Sequence, residues 1–260
     1  RIAGELEIDR AEVRRRNFIP SSAMPYEKQL HARSGLPVVL DTGEYEVVQQ
    51  KALDSADWVG FRERQAAALA TGRYIGIGVG NYVKGTGRGP FEAVTVRIGT
   101  SGKISVACGG SSIGQGTHTM LSRVVAAQLG GDLSNIVVSI GDTAAISNGI
   151  GTSNSRLTVT AGSSAHLAAI AVREKVLRVA ADMLEAAETD LEIEGTNVWV
   201  RGSDLKVSLG DVTKAVAGMP GYRLPEGVPP GMEATEMLVI EEETFASGSA
   251  VVEVEVDAET

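Results

Sequence analysis

Apolar positions recur along this chain with two different spacings, and the change between them marks its organisation. Ile104 to Cys108 is an apolar run of strand length. From Met120 to Leu129, residues Met120, Leu121, Val124, Val125 and Leu129 fall on one helical face. Between them lies the glycine-rich stretch Gly109-Gly-Ser-Ser-Ile-Gly-Gln-Gly116. The same order returns at once. Ile136 to Ile140 reads as a buried strand, Asn148 to Arg156 as a loop of small residues, and Leu157 to about Ala187 as a long helix. That helix carries Leu167, Ile170, Val176, Leu177, Val179, Met183 and Leu184, with Arg173, Glu174 and Lys175 on its wet side. The predicted fold class is α+β with α/β-like repeats: two successive strand–glycine loop–helix units on mixed sheets.

The remaining elements are simpler. Asp9 caps a short helix through Glu12 to Arg16, where Arg14, Arg15 and Arg16 read as a solvated helix end. Residues 20 to 40 carry Pro20, Pro25 and Pro37 and read as irregular. Helices are expected over Tyr45–Leu53 and Trp58–Leu69. Tyr74 to Tyr82 is a strand with glycine at every second place, so one face is bare. Its Gly76-Ile-Gly-Val-Gly lacks the spacing and the following helix of a dinucleotide fingerprint. Gly85 to Phe91 reads as a loop, and Ala93–Ile98 with Ile104–Cys108 as a hairpin around Thr100-Ser-Gly. Leu191 to Arg201 reads as strand–turn–strand around Glu194-Gly195, and Ser208 caps a helix over Leu209–Ala217. Residues 218 to 232, with Pro220, Pro225, Pro229 and Pro230, read as a linker or lid. Thr235–Thr244 and Ala250–Val256 alternate as strands, with Glu253 and Glu255 on an outward, solvated edge.

Composition narrows the function. At 260 residues and 43% hydrophobic, the chain holds ample core for one large domain or two small ones. A net charge of -9 argues against a nucleic-acid backbone as partner. One cysteine, Cys108, excludes an internal disulfide framework and any cysteine cluster for zinc or iron–sulfur. The three histidines, His31, His118 and His166, are too scattered to suggest a protein-ligated metal. No apolar run spans a bilayer and no signal peptide opens the chain, so a cytoplasmic location is expected. The opening Arg1-Ile-Ala, without an initiator Met, is what a piece of a longer chain would show.

The candidate chemistry lies in the two loops. The first turn of a helix has unpaired N–H donors and a positive potential, and glycines let a ligand approach the backbone. Gln115 brings an amide able to donate and to accept. Two such turns on one sheet suit a phosphate-bearing ligand; turns that serve structure alone are the competing reading. His118 reads as a first-turn side chain bonded to the backbone or as a catalytic group, and His166 as a core or boundary histidine. Asp142 caps a turn or binds a hydroxyl. Arg156 at a helix start opposes the dipole and needs a reason. An anionic ligand is one, a pairing with Asp142 another.

With these residues in view, the chain resembles the large, molybdenum-binding subunit of the xanthine dehydrogenase family, the molybdenum hydroxylases. The subgroup it resembles includes the aerobic carbon monoxide dehydrogenase large subunit. The resemblance rests on motifs in order: Glu12-Val-Arg-Arg-Arg-Asn-Phe-Ile-Pro20, Asp41-Thr-Gly-Glu-Tyr45, Gly76-Ile-Gly-Val-Gly-Asn-Tyr82, Gly89-Pro-Phe-Glu92, Gly114-Gln-Gly-Thr-His118, Gly141-Asp-Thr143, Gly151-Thr-Ser-Asn-Ser-Arg156 and Val172-Arg-Glu-Lys175.

The resemblance implies that Gly114, Gln115, Gly116, Thr117 and His118 bind the molybdopterin dinucleotide, in its cytosine form. It implies that Gly151, Thr152, Ser153, Asn154, Ser155 and Arg156 line the pterin and the surroundings of molybdenum, with Gly89, Phe91 and Glu92 toward the substrate. The metal itself would be held by the pterin dithiolene. Residues 1–70 would end a first cofactor-binding portion with connecting helices, and 71–260 would be a second molybdenum-cofactor-binding domain lacking its C-terminal part. The family's catalytic glutamate, in a Gly-Glu motif, has no counterpart in a matching place; Pro225-Glu226-Gly227 has a different setting. No catalytic residue is therefore expected in this piece. The complete enzyme would oxidise a small-molecule substrate with oxygen from water. It would pass electrons to [2Fe-2S] clusters on a small subunit and FAD on a medium subunit, in a dimer of heterotrimers. A non-catalytic nucleotide- or phosphate-binding module of the same fold is the alternative.

Overall fold

Asp9 starts the first lasting helix. In the computed structural model, which describes residues 1–32, 35 and 37–259, its Oδ1 accepts the backbone N–H groups of Ala11 and Glu12 at 2.7 and 3.2 Å. A single turn, α1 (Ile2–Glu5), precedes it, and α2 (Arg10–Arg15) follows it. The stretch expected to be irregular holds an antiparallel pair, β1 (Tyr26–His31) and β2 (Pro37–Leu40). Sequence alone hides it because Tyr26–His31 does not alternate, and Pro37 begins its strand, where a missing N–H costs least. Helices α3 (Tyr45–Ser55) and α4 (Phe61–Ala70) lie close to their expected bounds.

Strand β3 (Tyr74–Thr86) runs through residues expected to begin a loop, and no helix follows it. It pairs antiparallel with the last strand, β11 (Thr244–Val256), from Tyr74 opposite Val256 to Thr86 opposite Thr244. This pairing moves the start of the strand expected at Ala250 back to Thr244. On one face of the ribbon Gly76, Gly78 and Gly80 stand opposite Val254, Val252 and Ala250, so only the β3 half of that face is bare. On the other face Glu253 and Glu255 meet Arg64 and Arg73 at 2.6 and 2.7 Å, so that edge is ion-paired as well as solvated.

By compactness the chain divides into Arg1–Thr86 together with Glu242 onward, and Gly87–Glu241. The second unit carries the candidate loops. Its central sheet contains β4 (Val94–Ile98), β5 (Ile104–Cys108), β6 (Ile136–Ile140) and β10 (Glu233–Glu236), in the order β10-β4-β5-β6. Strands β10, β4 and β5 are antiparallel neighbours, while β5 and β6 run parallel, so the sheet is mixed. A parallel neighbour requires a crossover, and here it is α5 (Thr117–Leu129). Leu121, Val125 and Leu129 are fully buried on its inner face, each contributing roughly 1.5–3 kcal/mol by leaving water.

Helix α6 (Leu157–Leu184) packs on α5, β4 and β10. Its inner face is mostly small residues, with Ala161, Ala165, Ala168 and Ala169 wholly buried ahead of Val172, Val176, Val179 and Ala180. Small side chains let the helix lie close to the sheet, and Leu167 and His166 point away, both exposed. The helix stops at Glu185, in the left-handed conformation at φ 51°. A three-stranded sheet follows, β7 (Leu191–Glu194), β8 (Asn197–Val200) and β9 (Lys206–Ser208), of which β9 gave no sequence signal. Ser208 caps α7 (Leu209–Val216) as expected, accepting the Asp211 N–H at 3.0 Å.

Residues 218–232 are not a free linker. Val228 and Met232 are buried in the core, and the Met232 carbonyl accepts the Ile98 N–H at 2.9 Å. The strand expected over Thr235–Thr244 ends at Glu236. Beyond it the Leu238 N–H turns to Ser164 Oγ at 3.0 Å, and the Ile240 N–H to the Pro90 carbonyl at 2.7 Å.

Candidate functional site

Three segments meet at one end of the central sheet. Cys108 and Ile140 are the C-terminal residues of the parallel pair, and Val94, opposite Cys108, is the first residue of β4. The loops that leave β5 and β6, and the segment that enters β4, therefore share that end. It is the end at which open α/β sheets bind ligands. The Gly141 N–H donates to the Cys108 carbonyl at 3.2 Å and draws the two strand ends together.

The first loop is shaped by its own amide. Gln115 Oε1 accepts the Ile113 N–H at 2.7 Å, and Nε2 donates to the Ser111 carbonyl at 3.1 Å. The side chain both donates and accepts, toward its own loop. Gly114 and Gly116 take φ of 93° and 82°, where a side chain is strained. A Cβ on either would meet nothing within 4 Å, so both border open space. Helix α5 starts at once, with Gly116 as its N-cap and no side-chain cap. Thr117 is buried with its Oγ1 unpartnered, and His118 is exposed on the first turn.

The second loop runs beside the first. The Ser111 N–H donates to Thr152 Oγ1 at 2.8 Å, and the Thr152 hydroxyl donates back to the Ser111 carbonyl. Gln115 and Thr152 thus share one acceptor, which puts the two loops side by side. Ser153, Asn154 and Ser155 are exposed beyond that junction. Asn154 and Ser155 both have positive φ, 46° and 56°, a strained pair of non-glycine residues of the kind that clusters at functional sites. Gly151, at φ 93°, again faces open space. Helix α6 follows, also without a side-chain cap.

Arg156 finds a different partner from either one expected. Its guanidinium is buried against Glu92, at 1% and 0% side-chain exposure. It also donates to the carbonyls of Arg88 at 2.7 Å, Gly151 at 2.6 Å and Phe91. Asp142 is occupied elsewhere, its Oδ1 accepting the Ala144 N–H at 2.9 Å, which is the turn-capping role. Gly89, at φ 96°, lies over the guanidinium; a Cβ there would be 3.1 Å from Nε. Of the three residues expected toward the substrate, Gly89 is exposed and Phe91 half-buried, whereas Glu92 is wholly buried and turned to Arg156.

Ser111, Gly109 and Gly149 join the site without individual sequence signals. Ser111 is one serine among several; the two glycines owe their place to a close approach, since a Cβ on either would lie 2.8 Å from the other's Cα. Burial pushes the Cys108 thiol, just before the first loop, up to about 11. Among the described residues no group of three His, Cys, Asp or Glu is placed to hold a metal ion. Among them, too, no helix is long and apolar enough to cross a membrane.

Residues 51–260 match the molybdopterin cofactor-binding domain family. The chain is 33% identical over 256 residues to the 6-hydroxypseudooxynicotine dehydrogenase complex subunit gamma of Paenarthrobacter nicotinovorans, covering 98% of this chain and 32% of that protein. Among solved structures it superposes on reconstituted CO dehydrogenase from Oligotropha carboxidovorans with a TM-score of 0.81 at 28% identity, covering 98% of this chain and 33% of that one. Quinoline 2-oxidoreductase from Pseudomonas putida 86 gives 0.80 at 31% identity, with 99% and 34% covered. The chain spans about a third of the length of these relatives.

Proposed function

The chain belongs to the molybdopterin cofactor-binding domain family, and on that premise we propose that its two adjoining loops hold a molybdopterin dinucleotide in the large subunit of a molybdenum hydroxylase-type oxidoreductase. The observation that carries the reading is the junction at Ser111. It sets two glycine-bearing loops side by side, each running into a helix that no side chain caps. The first-turn N–H groups of α5 and α6, which no side chain caps, with the positive ends of the helix dipoles, are the kind of donor a pyrophosphate requires.

The residues present fit such a group. Gly114, Gly116 and Gly151 leave room at the backbone, and the unpartnered Thr117 Oγ1 offers a further polar atom at the α5 start. In this reading Gly114 to His118 take the dinucleotide, in its cytosine form, and Gly151 to Ser155 lie along the pterin. Gly89 and Phe91 stand nearer the substrate. When bound, the cofactor would supply two-electron oxidation of a small substrate with oxygen drawn from water. This chain's part is to bind and orient it. The complete protein would work in the cytoplasm beside an iron–sulfur small subunit and an FAD medium subunit, in a dimer of heterotrimers.

The test is molybdenum analysis of the full-length protein, paired with identification of the nucleotide released by acid. Near-stoichiometric molybdenum with cytidine monophosphate supports the proposal. Nucleotide without molybdenum would favour a non-catalytic binding module, and neither would sink both.

A further inference from the structure

We propose that the buried Glu92–Arg156 pair is a positioning device: it fixes the two loops in the shape that retains the cofactor, and touches the cofactor nowhere. The inference rests on the cofactor reading above. Arg156 reaches the carbonyls of Arg88, Phe91 and Gly151. Glu92 Oε2 accepts the N–H groups of Ile150 and Gly151, both at 3.2 Å. Its Oε1 is buried without a hydrogen-bond partner and faces both Gly109 and Gly149. A Cβ on those residues would lie 2.6 and 2.5 Å from it. One carboxylate therefore meets the first residue of the loop after β5 and three consecutive residues of the loop after β6.

Stability alone is a poor account of this arrangement. Two charges removed from water gain little over an apolar pair of similar volume, and an orphaned carboxylate oxygen adds to the cost. A cation at the start of α6 also opposes that helix's dipole. What the pair supplies is geometry. The strained Asn154 and Ser155 lie immediately before Arg156, and strain of that kind persists only where the surroundings over-determine it. With the Arg156 side chain anchored inward, and the Ser155 carbonyl accepting the Gly87 N–H at 3.5 Å, Ser153 to Ser155 are held outward. Groups that hold ligand-bearing residues in place typically change affinity 10–100-fold when altered.

The test uses the full-length protein with Glu92→Gln, Arg156→Lys and the double variant Glu92→Gln/Arg156→Met. Three quantities are read: the rate of molybdenum release, the thermal midpoint, and protease cleavage within residues 148–156 of cofactor-free protein. Both single variants should release molybdenum at least about tenfold faster, and be cut faster, at temperatures where circular dichroism shows them folded. The double variant should regain thermal stability relative to Glu92→Gln, which leaves the guanidinium buried without its carboxylate, although the carbonyls of Arg88, Phe91 and Gly151 lose a donor, and it should not regain retention. Retention that returns with stability would overturn the proposal, as would unchanged release and cleavage in the single variants. If the single variants do not fold, Glu92→Asp keeps both charges but shortens the carboxylate's reach to Gly149, Ile150 and Gly151 and must give the same faster release and cleavage. A wild type without molybdenum overturns the cofactor reading alone. The cleavage rates then still decide whether the pair anchors the loops.

Discussion

Ser111 and Thr152 exchange two hydrogen bonds, backbone N–H to hydroxyl at 2.8 Å and hydroxyl back to carbonyl. Each bond contributes about 1 kcal/mol net. Thr152→Val keeps the shape and removes both; at this exposed junction water replaces part of what is lost, so unfolding free energy should fall by about 1 kcal/mol. Thr152→Ser keeps the hydroxyl and should cost less. Urea denaturation of the two variants beside wild type is the check. A larger loss in Thr152→Ser than in Thr152→Val would mean that the methyl group, and not the hydrogen bonds, holds the loops together.

Gln115 sets a contrast between stability and retention. Its amide closes the first loop on an exposed surface, where water can replace lost hydrogen bonds. Gln115→Leu should therefore cost under about 1 kcal/mol, yet lower the molybdenum content of full-length protein several-fold, because Ile113 to Gly116 lose their fixed shape. Gln115→Glu removes the donor to the Ser111 carbonyl and adds a negative charge beside the proposed phosphate site, so its loss should be deeper. Full metal occupancy in both variants would detach Gln115 from cofactor binding.

How far the sequence could be read follows the range of each interaction. The two strand–loop–helix units were legible because local spacing and glycine punctuate them: Ile104–Cys108 before Thr117–Leu129, and Ile136–Ile140 before Leu157–Leu184. The β1–β2 pair was not, since Tyr26–His31 lacks alternation. Met237 to Ile240 continue an apolar run of strand texture, but the Leu238 and Ile240 N–H groups go to Ser164 and Pro90, not to a neighbouring strand. The site divides in the same way. Loop positions at helix starts are visible in the sequence, whereas the partner of Arg156 lies 64 residues away, and no periodicity reports it. The unexplained cation at a helix start was the one trace that pair left.

Gly130 ends α5 in the left-handed region at φ 62°, with its carbonyl accepting the Gly195 N–H at 2.7 Å. A Cβ there would stand 2.0 Å from the Ile193 carbonyl oxygen, a backbone atom that cannot swing aside. Gly130→Ala combines left-handed strain of about 1–2 kcal/mol with overpacking of about 1–3 kcal/mol. It should lower stability by about 2–5 kcal/mol. Gly195→Ala is the control, at φ 61° with nothing within 4 Å, and should show only the first of these costs. Thermal melts that rank the two variants the other way would contradict the close approach of α5's end to β7.

Cys108 links stability to alkaline pH. Burial raises its thiol from 9.0 to about 11, opposed in part by the Gly110 N–H donating to Sγ at 3.4 Å. Above pH 9 the unfolded chain loses this proton while the folded chain keeps it. Ionisation then favours unfolding, and the thiol's contribution, complete below pH 9, falls away as pH rises toward 11. The full effect is on the order of 2 kcal/mol. Lysines and tyrosines titrate over the same range, so wild type must be measured beside Cys108→Ala by urea unfolding from pH 8 to 11. The variant starts less stable because it leaves a small cavity, and the gap should narrow steadily with pH. A gap that stays constant would mean that the thiol ionises as freely in the folded protein as in the unfolded one. The floor beneath the first loop would then be wet, and Cys108 should react with Ellman's reagent without prior unfolding.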